Sequence, residues 1–238
     1  MSLKNARVLV IGGTSGIGLG VASAAAERGA IPIVASRQQS SVDRALSQLP
    51  EHARGATVDL TDLSALERVA VDIGDIEHLV FTAGESLELA PLADLTPDVI
   101  TRFFQTRFIG ALTAVRVFGP RITSGGSITL TSGTAAEQPS FGALPVSICG
   151  AMNALTKALA FELAPIRVNA VAPGVVRTPL WDAMGEADRQ AMYDQAAQQL
   201  PLGRVGEVAD TARAYLYFME QEFGTGVVLT VDGGTTLV

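Results

Sequence analysis

Arg7-Val8-Leu9-Val10-Ile11, followed at once by Gly12-Gly13-Thr14-Ser15-Gly16-Ile17-Gly18, is the stretch whose reading decides the fold. The first five residues are a short apolar run of the kind that forms a buried strand. The segment Leu19–Arg28 beyond the glycines carries a helical pattern. Glycines alone mark only a turn. Placed between a first strand and a first helix, they permit a tight reversal and let the backbone approach a pyrophosphate. There the free N–H groups and the dipole of the helix N-terminus favour negative charge. The spacing here is G-x-x-x-G-x-G.

Outward from this turn, short apolar runs alternate with longer helical stretches, which is the mark of βαβ units and a parallel sheet. The runs predict strands at Arg7–Ile11, Ile31–Ser36, Ala56–Asp59, His78–Thr82, Gly126–Thr131, Arg167–Val171 and Val227–Val231. Two helical stripes predict core packing: Val99, Phe103, Phe104, Phe108, Ala111, Leu112 and Val115, and then Met152, Leu155, Leu159 and Leu163. No repeat or linker divides the 238 residues, so one α/β domain spanning 1–238 is expected. The segment 178–204 lacks a strand and is expected to cover a ligand site or to form surface helix.

With 48% hydrophobic and 17% charged residues the chain can bury a sizeable core. Its formal charge of −7 argues against nucleic-acid or anionic-membrane partners, because neither polyanion would be attracted. Cys149 is the only cysteine, which excludes an internal disulfide and leaves no cysteine-based metal site to expect. No signal segment precedes the first strand and no apolar run was expected to reach membrane-spanning length, so a cytoplasmic location is expected.

The whole chain resembles the short-chain dehydrogenase/reductase family. The landmarks are the glycine turn, Asp59 after the third strand, Thr82-Ala83-Gly84 after the fourth and Ser132 after the fifth. Arg167-Val168-Asn169-Ala170-Val171-Ala172-Pro173-Gly174 and Asp232-Gly233-Gly234 complete them. The resemblance implies a doubly wound Rossmann fold with a seven-stranded parallel sheet. It implies that Gly12, Thr14, Ser15, Gly16, Ile17 and Gly18 cradle a dinucleotide. Asp59 would bond the adenine, Leu60 would line its pocket, and Thr82, Ala83 and Gly84 would pass close to the cofactor, with threonine where the family has asparagine. Pro173, Gly174, Val176 and Thr178 would meet the nicotinamide end. Asp59 and Thr178 are also residues that cap helices. Family members commonly pair, so a homodimer or homotetramer acting on a small-molecule substrate is implied.

Ser36-Arg37 ends the second strand, where an acid would bond the ribose hydroxyls and repel a 2′-phosphate. Arginine there favours NADP(H) over NAD(H), with a solvated loop arginine as the alternative. The family's catalytic serine is matched by Ser132. Its Tyr-x-x-x-Lys motif is absent: counting from Ser132 and from Pro173-Gly174 places Pro145 at the tyrosine and Cys149 at the lysine. Arg107 falls at the family's helix asparagine. Arg107 is expected to bridge to Glu137 or turn to solvent, the alternative being that the two assist an acidic substrate or a proton transfer. Three readings follow: a carbonyl/alcohol oxidoreductase with weak or altered chemistry, a silent NADP(H)-binding sensor or partner subunit, or a non-redox lyase or isomerase.

Overall fold

A computed structural model describes residues 2–85, 87 and 90–238. Seven parallel strands form one sheet in the order β3-β2-β1-β4-β5-β6-β7. They are β1 (Arg7–Ile11), β2 (Ile31–Ser36), β3 (Arg54–Thr57), β4 (Ile76–Phe81), β5 (Ile122–Thr131), β6 (Arg167–Pro173) and β7 (Val228–Val231). The order reverses between β1 and β4, and the crevice beyond the carboxyl ends of these strands is where such sheets bind ligands.

Side-chain alternation splits the core into two layers. Leu9 and Ile11 point to one face, against α3 (Leu63–Ile73), α5 (Gly110–Phe118) and α6 (Ala143–Glu162), where Leu66, Val115, Phe118, Met152 and Leu159 are buried. Val8 and Val10 point to the other, against α1 (Gly16–Glu27), α2 (Gln39–Leu46) and α8 (Val208–Glu220), meeting Val21, Ala22, Ala45, Tyr215 and Phe218. Because both faces are covered, the inner strands read as continuous apolar runs rather than alternating ones.

Five strands differ in their bounds from the sequence expectation: β4 runs Ile76–Phe81 rather than His78–Thr82 and β7 starts at Val228 rather than Val227, and three others shift as well. β3 is Arg54–Thr57 rather than Ala56–Asp59. It is an edge strand with mostly exposed side chains, so its hydrophobic pattern is weak and buried Val58 drew the expected segment too far along. β5 begins at Ile122, beyond an irregularity in its pairing with β4, and β6 runs on to Pro173. The first helical stripe is one continuous rod in three parts: α4 (Pro97–Phe104), a π-helical turn over Gln105–Ile109, and α5. Segment 178–204 holds a 3-10 turn at Pro179–Trp181 and α7 (Glu186–Gln199). With Val205 it forms a small core of its own from Trp181, Tyr193 and Leu200. The expectation that no apolar run reaches membrane-spanning length needs one correction. α6, with 20 residues and mean hydropathy 1.3, is long and apolar enough to cross a membrane, and it is also the helix that packs Met152 and Leu159 into the sheet's core.

Candidate functional site

A cavity of about 670 Å³ lies along the crevice, within the range of small-molecule sites (roughly 300–1,000 Å³). Every residue assigned from sequence to the dinucleotide lines it, from Gly12–Gly18 (Gly13 aside) through Ser36-Arg37, Asp59-Leu60 and Thr82–Gly84 to Pro173-Gly174, Val176 and Thr178. Ser132, Pro145, Cys149 and Arg107 line the same cavity.

The glycine turn is held against β4 too tightly for side chains. Gly12 has φ +84°, and a Cβ on it would lie 2.5 Å from the Ala83 backbone nitrogen. A Cβ on Gly18 would lie 2.3 Å from the Gly12 carbonyl oxygen. Ser15 caps α1 without a side-chain hydrogen bond, and no acidic residue stands in the first turn. The first amides of α1 are therefore left for an anion, which fits a pyrophosphate. Asp59 Oδ1 accepts from both the Thr61 hydroxyl at 2.7 Å and the Thr61 N–H at 2.9 Å. The Thr61 side-chain bond first, then its backbone bond and the charge of Arg37, hold the Asp59 carboxyl below the usual range. The helix cap that Asp59 might have been is supplied by Asp62, which accepts from Ala65 N–H at 2.9 Å. Thr178 precedes the 3-10 turn and makes no side-chain cap either.

At the other end, Ser132 leaves β5 with its N–H on the Val171 carbonyl at 2.8 Å. Its hydroxyl donates to Asn153 Oδ1 at 2.6 Å and to the Cys149 carbonyl at 3.1 Å. Pro145, Cys149 and Asn153 are spaced by four and share one stripe of α6. Pro145 falls in the first turn of α6, where its missing N–H would have had no partner. Burial pushes the Cys149 thiol up, against the opposing pull of Arg107, the Ser132 hydroxyl and the Ala136 backbone. Such a thiol is a poor proton donor and a poor nucleophile.

None of the three tyrosines reaches this end as a proton donor. Tyr215 is fully buried, its hydroxyl 2.7 Å from Thr131 Oγ1, and burial raises its pKa. Tyr193 belongs to the core of segment 178–204, stacked under Arg177 at 4.4 Å, and Tyr217 is exposed. Lys157 is exposed on α6 and does not line the cavity.

Arg107 corrects the expectation. It neither pairs with Glu137, which is exposed on the 3-10 turn Thr134–Glu137, nor turns to solvent. It sits in the π-helical turn, and its guanidinium enters the cavity. Nη2 donates to the Glu85 carbonyl, and the Phe103 ring lies 5.1 Å from Cζ. Nη1 fills the space beside Gly84, where a Cβ would come within 2.5 Å of it. Burial lowers the guanidinium pKa, while Cys149 and Glu85 act to raise it. Of the residues given no site role from sequence, two stand out by their contacts at this end. Glu85 faces this end and accepts from Thr106 Oγ1 at 2.9 Å. Asn153 braces Ser132. Position was the available signal: Glu85 directly follows the Thr82-Ala83-Gly84 turn, and Asn153 lies one helical turn after Cys149.

The full chain, residues 1–238, matches the family model described as an SDR-like Rossmann domain. It is 35% identical over 254 residues to the short-chain dehydrogenase/reductase malC of Malbranchea aurantiaca, covering 99% of this chain and 96% of that protein. The solved structure described as the MalC reductase/Diels-Alderase from that organism superposes with TM-score 0.88 at 33% identity, covering 99% of this chain and 98% of that one. A small-chain dehydrogenase solved in complex with NADPH superposes with TM-score 0.83 at 34% identity, covering 99% and 100%. The protein belongs to the short-chain dehydrogenase/reductase family.

Proposed function

We propose that this protein is an NADP(H)-binding oxidoreductase of its family whose chemistry departs from the family's because its proton-donating pair is gone. The observation that carries the reading is one cavity lined both by the residues assigned to a nucleotide and by Ser132, Pro145 and Cys149. Gly12–Gly18 would hold the pyrophosphate, Asp59 and Leu60 the adenine, and Val176 and Thr178 the nicotinamide amide. Arg37 at the rim, with Ser36 in place of an acid, would pair with a 2′-phosphate. The solved relative with NADPH supports this choice. When bound, the nicotinamide supplies or accepts hydride at the substrate.

Ser132 orients the reacting oxygen. Its proton, shared between Asn153 Oδ1 and the Cys149 carbonyl, would have to leave them to reach a substrate oxygen. Neither proline nor a buried neutral thiol replaces a tyrosine held by lysine, and losing a positioned acid costs about 10²–10⁴-fold. A second reading, non-redox chemistry or silent cofactor binding in the same frame, is favoured by that loss and by the likeness to a protein described as both a reductase and a Diels-Alderase. A cytoplasmic homodimer or homotetramer completes the proposal. Calorimetric titration with NADPH and NADH tests it: tighter NADPH binding is expected, and binding of neither nucleotide removes it.

A further inference from the structure

We infer that Arg107 makes the inner end of the cavity an anion subsite, which takes the delocalised oxyanion, carboxylate or enolate, of a substrate with an otherwise apolar body. This rests on reading the cavity as a joint cofactor and substrate site. Among the described residues, four side chains bring formal charge to its lining: Arg37, Asp59, Glu85 and Arg107. The first two stand at the strand ends assigned to the adenosine half. At the inner end, Arg107 forms no ion pair among the described residues. Glu85 offers it a backbone carbonyl, while its own Oε1 is engaged by Thr106. Among the described residues the guanidinium Nε is shut off from solvent with no partner, Nη2 is engaged, and Nη1 makes no hydrogen bond.

A partly desolvated cation without a salt-bridge partner costs folding energy; among the described residues Arg107 has none, the Glu85 charge acting on it only electrostatically, and it lies in a ligand-sized cavity. Its setting is prepared for an anion. Phe103 and the bare backbone at Gly84 fix the plane of the fork before any ligand arrives. The surrounding walls are Leu87, Phe141, Pro145, Ile148, Leu180 and Trp181. Apolar walls lower the local dielectric and strengthen a charge–charge contact, and they suit a bulky apolar substrate body. The chemistry of the group narrows the ligand further. Guanidinium stays protonated and donates hydrogen bonds without giving up a proton. It therefore matches an oxygen that persists as an anion, such as a carboxylate or an enolate, rather than an alkoxide that must be protonated.

Trp181, the only tryptophan, lines the cavity and reports occupancy by its fluorescence. Cyclohexanecarboxylate and the isosteric cyclohexanecarboxamide are titrated against the full chain in this way. Dimedone, an enolate in mildly alkaline buffer, is titrated by calorimetry. The carboxylate is expected to bind about tenfold or more tightly than the amide. Arg107→Gln is expected to erase that preference, and Arg107→Lys to retain part of it. Binding of dimedone assigns the enolate form and binding of the carboxylate the acid form; either supports the subsite. Equal affinity for acid and amide without dimedone binding, an anion affinity that survives Arg107→Gln, or binding of neither anion overturns it. In parallel, 2′,5′-ADP should bind the parent and Arg107→Gln alike. Weaker 2′,5′-ADP binding in the variant would assign the guanidinium to the nucleotide and overturn the subsite. Failure of 2′,5′-ADP to bind the parent would overturn the cofactor reading, with the acid-to-amide ratio still deciding the role of Arg107.

Discussion

The two ends of the cavity are built from different materials. The end proposed for the adenosine is mostly backbone: a glycine turn at positive φ, the open amides of α1, and strand ends brought side by side by the sheet. The inner end is side chains: a serine braced by an asparagine, a buried thiol, a proline and a guanidinium on a π-helical turn. Backbone geometry is fixed by the fold as a whole, so it survives as long as the fold does. Single side chains are exchanged one position at a time without disturbing the sheet, as Pro145 in the first turn of α6 illustrates. Fold and nucleotide cradle can therefore persist while the reaction changes, and family membership does not determine what is turned over.

The largest expected effect comes from returning the inner end to the family pattern. Pro145→Tyr with Cys149→Lys should raise ketone reduction by about 10²–10⁴-fold once the pair functions, measured by NADPH oxidation, and each single change should do far less. Arg107 acts electrostatically on Cys149, so a lysine there would meet a like charge. Adding Arg107→Asn should release most of the gain. A double variant already as fast as the triple would show that the two ends differ for another reason.

Beneath both ends, His78 on β4 is buried, its Nδ1 2.9 Å from Ser127 Oγ. Burial, with Arg167 adding to it, lowers its pKa from 6.5 to about 4. A group depressed in the folded state gives its stability fully above the unfolded pKa of 6.5 and loses it as pH falls through about 4. The loss is about 3 kcal/mol. Thermal melts between neutral pH and pH about 4 should show it, and His78→Asn should flatten the slope. A slope unchanged in the variant would trace it to carboxylates instead.

Asn153→Ala removes the brace on Ser132 and leaves its part-buried hydroxyl with the Cys149 carbonyl alone, costing about 1 kcal/mol of stability by denaturant melts. NADPH affinity should be unchanged, because the brace belongs to the inner end alone. A matching loss of affinity would mean the two ends are coupled. The smallest effect belongs to the rim. Arg37→Ala should weaken NADPH about three- to tenfold and leave NADH unaltered by calorimetry. Equal affinities in the parent would show that Arg37 does not read the phosphate.

The sequence made the same division visible. The glycine turn, the strand runs and the Pro173-Gly174 corner were legible because each follows from backbone demands that few residue types meet. β3 was misplaced because an edge strand with an exposed face carries little pattern. Arg107 was placed on the correct helix and given the wrong neighbour. Its direction depends on a π-helical turn that shifts the rod's register, and on a gap at Gly84 distant in sequence. Glu85 and Asn153 escaped for a similar reason: their roles arise from contacts across elements, with Thr106 and Ser132, that no local spacing encodes.

One stopped-flow experiment tests the contrast most directly. The protein is mixed with NADPH while energy transfer from Trp181 to the nicotinamide is followed, and a panel of simple ketones is then added under single-turnover conditions. The expected record is a rise in transfer on mixing, reporting an intact cradle, followed by very slow or undetectable loss of NADPH. No rise with NADPH or with NADH, or rapid NADPH oxidation that Ser132→Ala leaves untouched, would contradict it.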